Sequence, residues 1–210
     1  LLNAITMKII CVGRNYAAHA KELNNPIPSQ PILFLKPDTA QLLDNSPLYY
    51  PNFTKELHYE VEVLLKICKN GKFIQPKFAP EYYREVSVGI DFTARDVQRR
   101  CKEKGHPWEI AKAWNHSAAI GQFIPKETAF DPSGQLQFSL KKNHKLVQEG
   151  NSKNMLTSFD ALISYISQYF MLLRGDIIFT GTPKGVGPVD CGDQLEGFIG
   201  NQSLLKCAIK

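Results

Sequence analysis

Glu60 and Glu62 are separated by one apolar residue in His58-Tyr59-Glu60-Val61-Glu62-Val63-Leu64-Leu65-Lys66, and Asp91 closes a second apolar run, Val86-Ser87-Val88-Gly89-Ile90-Asp91. In an extended strand, side chains two apart leave the same face, so Glu60 and Glu62 project together while Val61 and Val63 enter the opposite layer. Carboxylates so placed repel, and a divalent cation relieves the repulsion, because an oxygen-only ligand set suits Mg²⁺, Mn²⁺ or Ca²⁺. Any half-exposed strand with its carboxylates in water has the same alternation. The spacing alone leaves both readings open.

His19 and Glu22 are three apart in a short helical stretch, which lets the carboxylate hold the imidazole in one tautomer and makes His19 a candidate general base. Arg14, just after Gly13, offers a guanidinium at a strand-to-helix turn, either for an anion or for a surface ion pair. Arg95 and Gln98, also three apart, can face one space, and Lys112 in Glu109-Ile-Ala-Lys-Ala-Trp114 either approaches substrate oxygen or snorkels to solvent. Gly181-Thr182-Pro183-Lys184-Gly185-Val186-Gly187 lacks the spacing of a phosphate loop. Its backbone N–H groups and the Thr182 hydroxyl can still cradle a carboxylate.

The elements that must position these groups are short. Apolar segments bounded by Gly, Pro and Asn run over Lys8–Val12, Ile32–Leu35, Tyr59–Ile67, Val86–Ile90, Leu136–Leu140, Asp176–Thr180, Asp193–Ile199 and Ser203–Ile209. Asn70-Gly71, Lys142-Asn143-His144 and Gly200-Asn201 are hairpin signals between them. Three helices are expected. Tyr16–Leu23 is the first, followed by a Pro-containing loop over Asn24–Pro31; Thr93-Ala-Arg-Asp96 reads as a capping box opening a helix to Lys104, and Thr157-Ser-Phe-Asp160 opens another over Ala161–Leu173.

With 210 residues and 43% hydrophobic content, the chain suits one domain over residues 7–210; residues 1–6 read as an upstream extension or expression remnant. A net charge of +5 favours anionic substrates and is too small and dispersed for nucleic acid. Five scattered cysteines without a C-x-x-C pair argue against thiolate zinc and for a reducing compartment. No apolar run approaches the roughly 20 residues that cross a bilayer. A cytoplasmic location is expected, with the mitochondrial matrix as the alternative.

Taken together, Gly13-Arg14-Asn15-Tyr16 with His19, Phe34-Leu-Lys-Pro37, His58-Tyr-Glu60-Val-Glu62, Asp91-Phe-Thr-Ala-Arg-Asp96-Val-Gln98, Ala111-Lys112 and Gly175 to Gly187 resemble the fumarylacetoacetate hydrolase family, especially its small acylpyruvate hydrolase and oxaloacetate decarboxylase-like branch. The resemblance implies an α+β fold, a β-rich mixed-sheet roll with a few short helices, and a homodimer. It also implies that Glu60, Glu62 and Asp91 ligate Mg²⁺ or Mn²⁺, that His19 with Glu22 activates water, and that Lys112 contacts substrate. Arg95, Gln98, Thr182 and Gly181 would bind the oxo-acid end of a small anionic 2-oxo acid. Trp114 to Ala119 departs from the more frequent family wording, which leaves acyl-side specificity open.

The expected activity is metal-dependent hydrolysis of a carbon–carbon bond in a 3-acylpyruvate such as acetylpyruvate or fumarylpyruvate, giving pyruvate and a carboxylic acid. Oxaloacetate decarboxylation and isomerisation of 2-hydroxyhepta-2,4-diene-1,7-dioate use the same enolate and are the alternatives. A non-catalytic, metal-dependent binder of oxo acids is the alternative of another class.

Overall fold

Strands too short to be stable alone gain their stability here by packing sheet against sheet. The computed structural model describes residues 7–23 and 25–210, so residues 1–6, and residue 24 within the expected loop, lie outside the described residues. In chain order the strands of the first half are β1 (Ile9–Gly13), β2 (Ile32–Lys36), β3 (Gln41–Leu43), β4 (Leu57–Tyr59), β5 (Val61–Ile67), β6 (Tyr83–Asp91) and β7 (Thr93–Ala94). Then come β8 (Ala118–Ile120), β9 (Ile124–Pro125), β10 (Gln137–Lys142), β11 (Lys145–Asn151), β12 (Ile177–Phe179), β13 (Gly187–Pro188), β14 (Gln194–Ile199) and β15 (Gln202–Ala208). The helices are α1 (Ala17–Glu22), α2 (Arg95–Lys104), α3 (Glu109–Lys112), α4 (Lys126–Ala129) and α5 (Phe159–Tyr169).

The largest sheet runs β2-β1-β12-β5-β6-β8-β3, with β9 added against β6; a second runs β11-β10-β14-β15 and a third β13-β4-β7. Pairing is antiparallel except for β1 with β12 and β3 with β8, so the fold is α+β with a mixed sheet, as expected. Period-two alternation divides the layers. Val61, Val63 and Leu65 of β5 and Val86, Val88 and Ile90 of β6 join Phe138, Leu140, Leu195 and Leu205 of the second sheet in the main core. Glu62 and Asp91 occupy the alternate face, and Leu64 beside Glu62 packs into a separate cluster with Ile9, Cys11 and Phe179. Each fully buried apolar side chain here is worth about 1.5–3 kcal/mol.

Three expectations need correction. The turn after β5 is not a tight hairpin at Asn70-Gly71, because Gly71 exchanges backbone hydrogen bonds with Leu172 and a 3₁₀ turn at Pro76–Tyr82 intervenes before β6. Thr93 is not a helix cap: it pairs with His58 between β4 and β7, α2 begins at Arg95, and Asp96 accepts from the Thr54 hydroxyl and the Lys55 N–H. The cap of α5 is Ser158, whose hydroxyl accepts from the Ala161 N–H, and the helix ends at Tyr169. The hairpin at Asn143-His144 stands as expected, with φ of 50° and 66° at the two turn residues. Among the described residues, no helix is long and apolar enough to cross a membrane.

Candidate metal centre and active-site cleft

Asp91 ends β6, Glu62 is the second residue of β5, and Glu60 occupies the single-residue break between β4 and β5. The E-x-E pair therefore spans a junction between two sheets, and its two carboxylates still leave on one side. The ladder end is closed by the Asp91 N–H donating to the Glu60 carbonyl at 2.8 Å. All three side chains are buried, and one oxygen from each lies within 4.8 Å of the others.

Burial affects the glutamates unequally because their neighbours differ. Burial alone would raise the Glu60 carboxyl, but Lys112 and then Arg95 outweigh it and hold Glu60 well below the usual carboxylate range. Burial, followed by the charges of Asp91 and Glu60, pushes Glu62 well above that range, although the Gly181 N–H at 2.6 Å acts in the other direction. The set fits a hard divalent cation. It consists of oxygen donors only, and while Asp91 is met by the Lys112 and Lys36 ammonium groups, Glu62 lacks a cationic hydrogen-bond partner among the described residues.

Lys112, the last residue of α3, is 3% exposed and donates to Glu60 Oε2 at 2.8 Å and Asp91 Oδ2 at 2.6 Å. Burial opposes its charge, but Asp91 and Glu60 overcome that and raise its pKa. Arg95 donates through Nη2 to Glu60 Oε1 and through Nη1 to Gln98 Oε1 at 2.7 Å, so the first turn of α2 buttresses the same carboxylate.

His19 on α1 is 5% exposed, and its Nδ1 lies 3.4 Å from Glu22 Oε2. Burial lowers the imidazole pKa, with the Glu60 charge and the Glu22 hydrogen bond opposing it, so the ring is neutral near neutral pH. With Nδ1 assigned as the donor to Glu22, Nε2 is the basic atom. Glu22 also accepts from the Gly185 N–H at 2.9 Å, tying α1 to the Thr182–Gly185 turn. Gly181 has a φ of +104°, and a Cβ there would sit 2.6 Å from that of Asn15.

Arg14, His19, Glu60, Glu62, Asp91 and Arg95 line one narrow cleft, with Gln98, Lys112 and Thr182. Glu22 and Gly181 are outside its lining and act on it through His19 and Glu62, to which they are hydrogen-bonded. The expected site residues are thus gathered at one place.

Several residues at or behind this wall carried no expected role. Lys36, at the end of β2 and 2% exposed, lies 2.8 Å from Asp91 Oδ1 and donates to the carbonyls of Lys112 and Ser117 and to the Ser117 hydroxyl. Gln148 accepts from the Val61 N–H and donates to Thr182 Oγ1 at 3.0 Å. Asn15 bonds the carbonyls of Thr157 and Thr180 and the Thr157 N–H, fastening the exit of β1 to the ends of β12 and the α5 approach. The only sequence signals for Lys36 and Asn15 are their places in Phe34-Leu-Lys-Pro37 and Gly13-Arg14-Asn15-Tyr16; Gln148 shows none.

A cluster of buried carboxylates beside a neutral imidazole and several cations suits stabilisation of an enolate formed from a 2-oxo acid. Comparison with known proteins is consistent with that chemistry. The family described as fumarylacetoacetate (FAA) hydrolase C-terminal matches residues 8–210. The mitochondrial oxaloacetate tautomerase of Mus musculus is 43% identical over 202 residues, 96% of this chain and 91% of the relative. The crystal structure of fumarylpyruvate hydrolase from Pseudomonas aeruginosa, in complex with Mn²⁺ and pyruvate, superposes with a TM-score of 0.89 at 37% identity, covering 97% of this chain and 89% of that one. A 2-hydroxyhepta-2,4-diene-1,7-dioate isomerase from Mycobacterium marinum gives 0.83 at 30% identity, covering 98% and 75%.

Proposed function

The chain belongs to the fumarylacetoacetate hydrolase family, and from that premise we propose that it is a divalent-cation enzyme of small 2-oxo acids whose principal reaction is keto–enol interconversion of oxaloacetate. The observation that carries this reading is a neutral, buried His19 in the same cleft as three carboxylates and the Lys112 ammonium. One side of the cleft can move a proton while the other favours enolate charge.

Glu60, Glu62 and Asp91 would hold Mg²⁺ or Mn²⁺, which when bound supplies Lewis-acid stabilisation of enolate charge. His19 Nε2 takes a proton from C3 of the keto acid, Glu22 keeps Nδ1 as the donor, and delivery of a proton to the 2-oxo oxygen gives the enol. Lys112 keeps its charge beside that oxygen, and Arg14 supplies a cation nearer the mouth of the cleft. Arg95 and Gln98 form the polar wall, with Thr182 and Gly181 opposite.

Hydrolysis of a 3-acylpyruvate is the second reading, favoured by the His19–Glu22 pair, which is equally suited to removing a proton from water attacking the distal carbonyl. The deciding experiment follows the ultraviolet decay of enol-oxaloacetate and of acetylpyruvate with Mn²⁺ or EDTA. Accelerated oxaloacetate relaxation that EDTA abolishes, and that His19→Ala slows by about 10²–10³-fold, supports the proposal. Acetylpyruvate cleavage alone would move the assignment to hydrolysis. Full turnover by metal-loaded His19→Ala would overturn the base.

A further inference from the structure

Arg95, Gln98 and Lys102 stand at i, i+3 and i+7 on α2 and so share one face, rising about 10 Å along the axis from the buried carboxylates to the mouth of the cleft. The lower two have partners, Glu60 for Arg95 and Arg95 for Gln98. The upper end is different. Lys102 and Arg14 both line the mouth, and among the described residues neither has a carboxylate partner; Lys102 donates only to Asn25 Oδ1, at 3.1 Å. Partial burial, then the neighbouring Arg14 and Arg95 charges, lower the Lys102 pKa against the opposing Glu60 charge, so cations converge there with no carboxylate in contact with Lys102. The Trp108 ring lies 6.0 Å from the Lys102 ammonium and lines the cleft beside it.

We propose that Lys102, with Asn25 and Arg14, forms a subsite at the cleft mouth that takes the carboxylate at the far end of a dicarboxylic 2-oxo acid and so selects diacids over monoacids. The inference rests on the reading of the cleft as a 2-oxo-acid site, and it deepens that reading by naming what the second end of the substrate must carry. With the 2-oxo acid head at the three carboxylates and Lys112, the remaining length of the substrate points along the α2 face towards Lys102. A second carboxylate supplies the missing counter-charge for Lys102 and Arg14, and the Asn25 amide offers it a further donor. A methyl group in the same place leaves both cations unmatched.

The test is titration calorimetry of the Mn²⁺-loaded protein with 3,3-difluorooxaloacetate, a diacid with no enolisable C–H, and with pyruvate, the monoacid. Wild type is expected to bind the diacid at least about tenfold more tightly. Lys102→Met, which keeps the aliphatic stem, should weaken the diacid about tenfold and pyruvate less than about twofold, and Lys102→Arg should restore most of the preference. Absence of a diacid preference in wild type, or equal effects of Lys102→Met on both ligands, would overturn the subsite. Because neither readout needs turnover, a preference that depends on Lys102 stands even if oxaloacetate interconversion is not detected, and loss of the preference leaves the interconversion assay free to succeed.

Discussion

A carboxyl pushed above its usual range must lose its proton before it can hold a cation, and Glu62 is in that position while Glu60 is already held as the anion. Metal binding should therefore release protons and strengthen as pH rises. Calorimetry in buffers of different ionisation enthalpy measures the released proton directly, and buffer-independent heats would show that Glu62 is ionised beforehand. The linkage sign is definite: a carboxyl with a raised folded pKa stabilises the metal-free protein below its unfolded pKa, and that contribution disappears as pH rises through the folded value. His19 goes the other way. Its lowered folded pKa keeps the base neutral below pH ~6.5, so the acid limb of kcat/KM assigned to it should fall below that value. A limb at or above the ordinary histidine value in the pH–rate profile would contradict this assignment. Glu60, Glu62, Asp91 and Lys112 stand out in the sequence as charged residues that interrupt apolar runs, but that pattern alone leaves solvated side chains open and the family resemblance is what singles them out. Lys36 does not stand out: a lysine before Pro37 reads as a strand end in solvent, and only its approach to Asp91, far along the chain, reveals a buried cation.

At the scale of elements, the site depends on a few backbone positions that residue type alone does not disclose. Gly181 follows β12 with a left-handed φ, donates its N–H to Glu62 and packs its Cα face against Asn15. Gly181→Ala should cost about 2 kcal/mol or more, through both the positive φ and the contact with Asn15, with denaturant unfolding as the measure. A stability unchanged within error would mean that the turn relaxes freely. The strand alternation around Glu60 and Glu62 predicts their common side correctly, although the break that hands the chain from the β4 sheet to β5 is invisible to periodicity. Thr93 fails as a cap for a related reason. Its pairing with His58 is a long-range backbone contact, and that contact outweighs a local capping pattern. Asn143-His144 succeeds because the conformation it favours is the one the twisted β10–β11 pair requires.

Across the whole molecule, the cleft draws residues from Arg14 to Thr182, so an ion joining Glu60, Glu62 and Asp91 links strands that unfolding separates. Mn²⁺ at ~100 times its Kd should add about 2.7 kcal/mol, raising the melting temperature by about 5–10 °C over EDTA-treated protein. An equal rise in Glu62→Gln would place the ion elsewhere. A strand-rich chain was legible from short apolar segments and turn signals, and the mixed-sheet roll from the family resemblance; the order of strands was not legible, since registers such as Ile9–Cys11 against Ile177–Phe179 join distant parts of the chain. That pairing also sets a timetable for synthesis. β1 lies inside the sheet between β2 and β12, so one of its edges has no partner until Phe179 has left the ribosome. At cellular elongation rates of about 5–20 residues per second the wait is on the order of ten to thirty seconds. Throughout that interval the nascent chain carries an apolar interior strand as an open edge, which makes it a natural client for chaperones that shield such edges during translation.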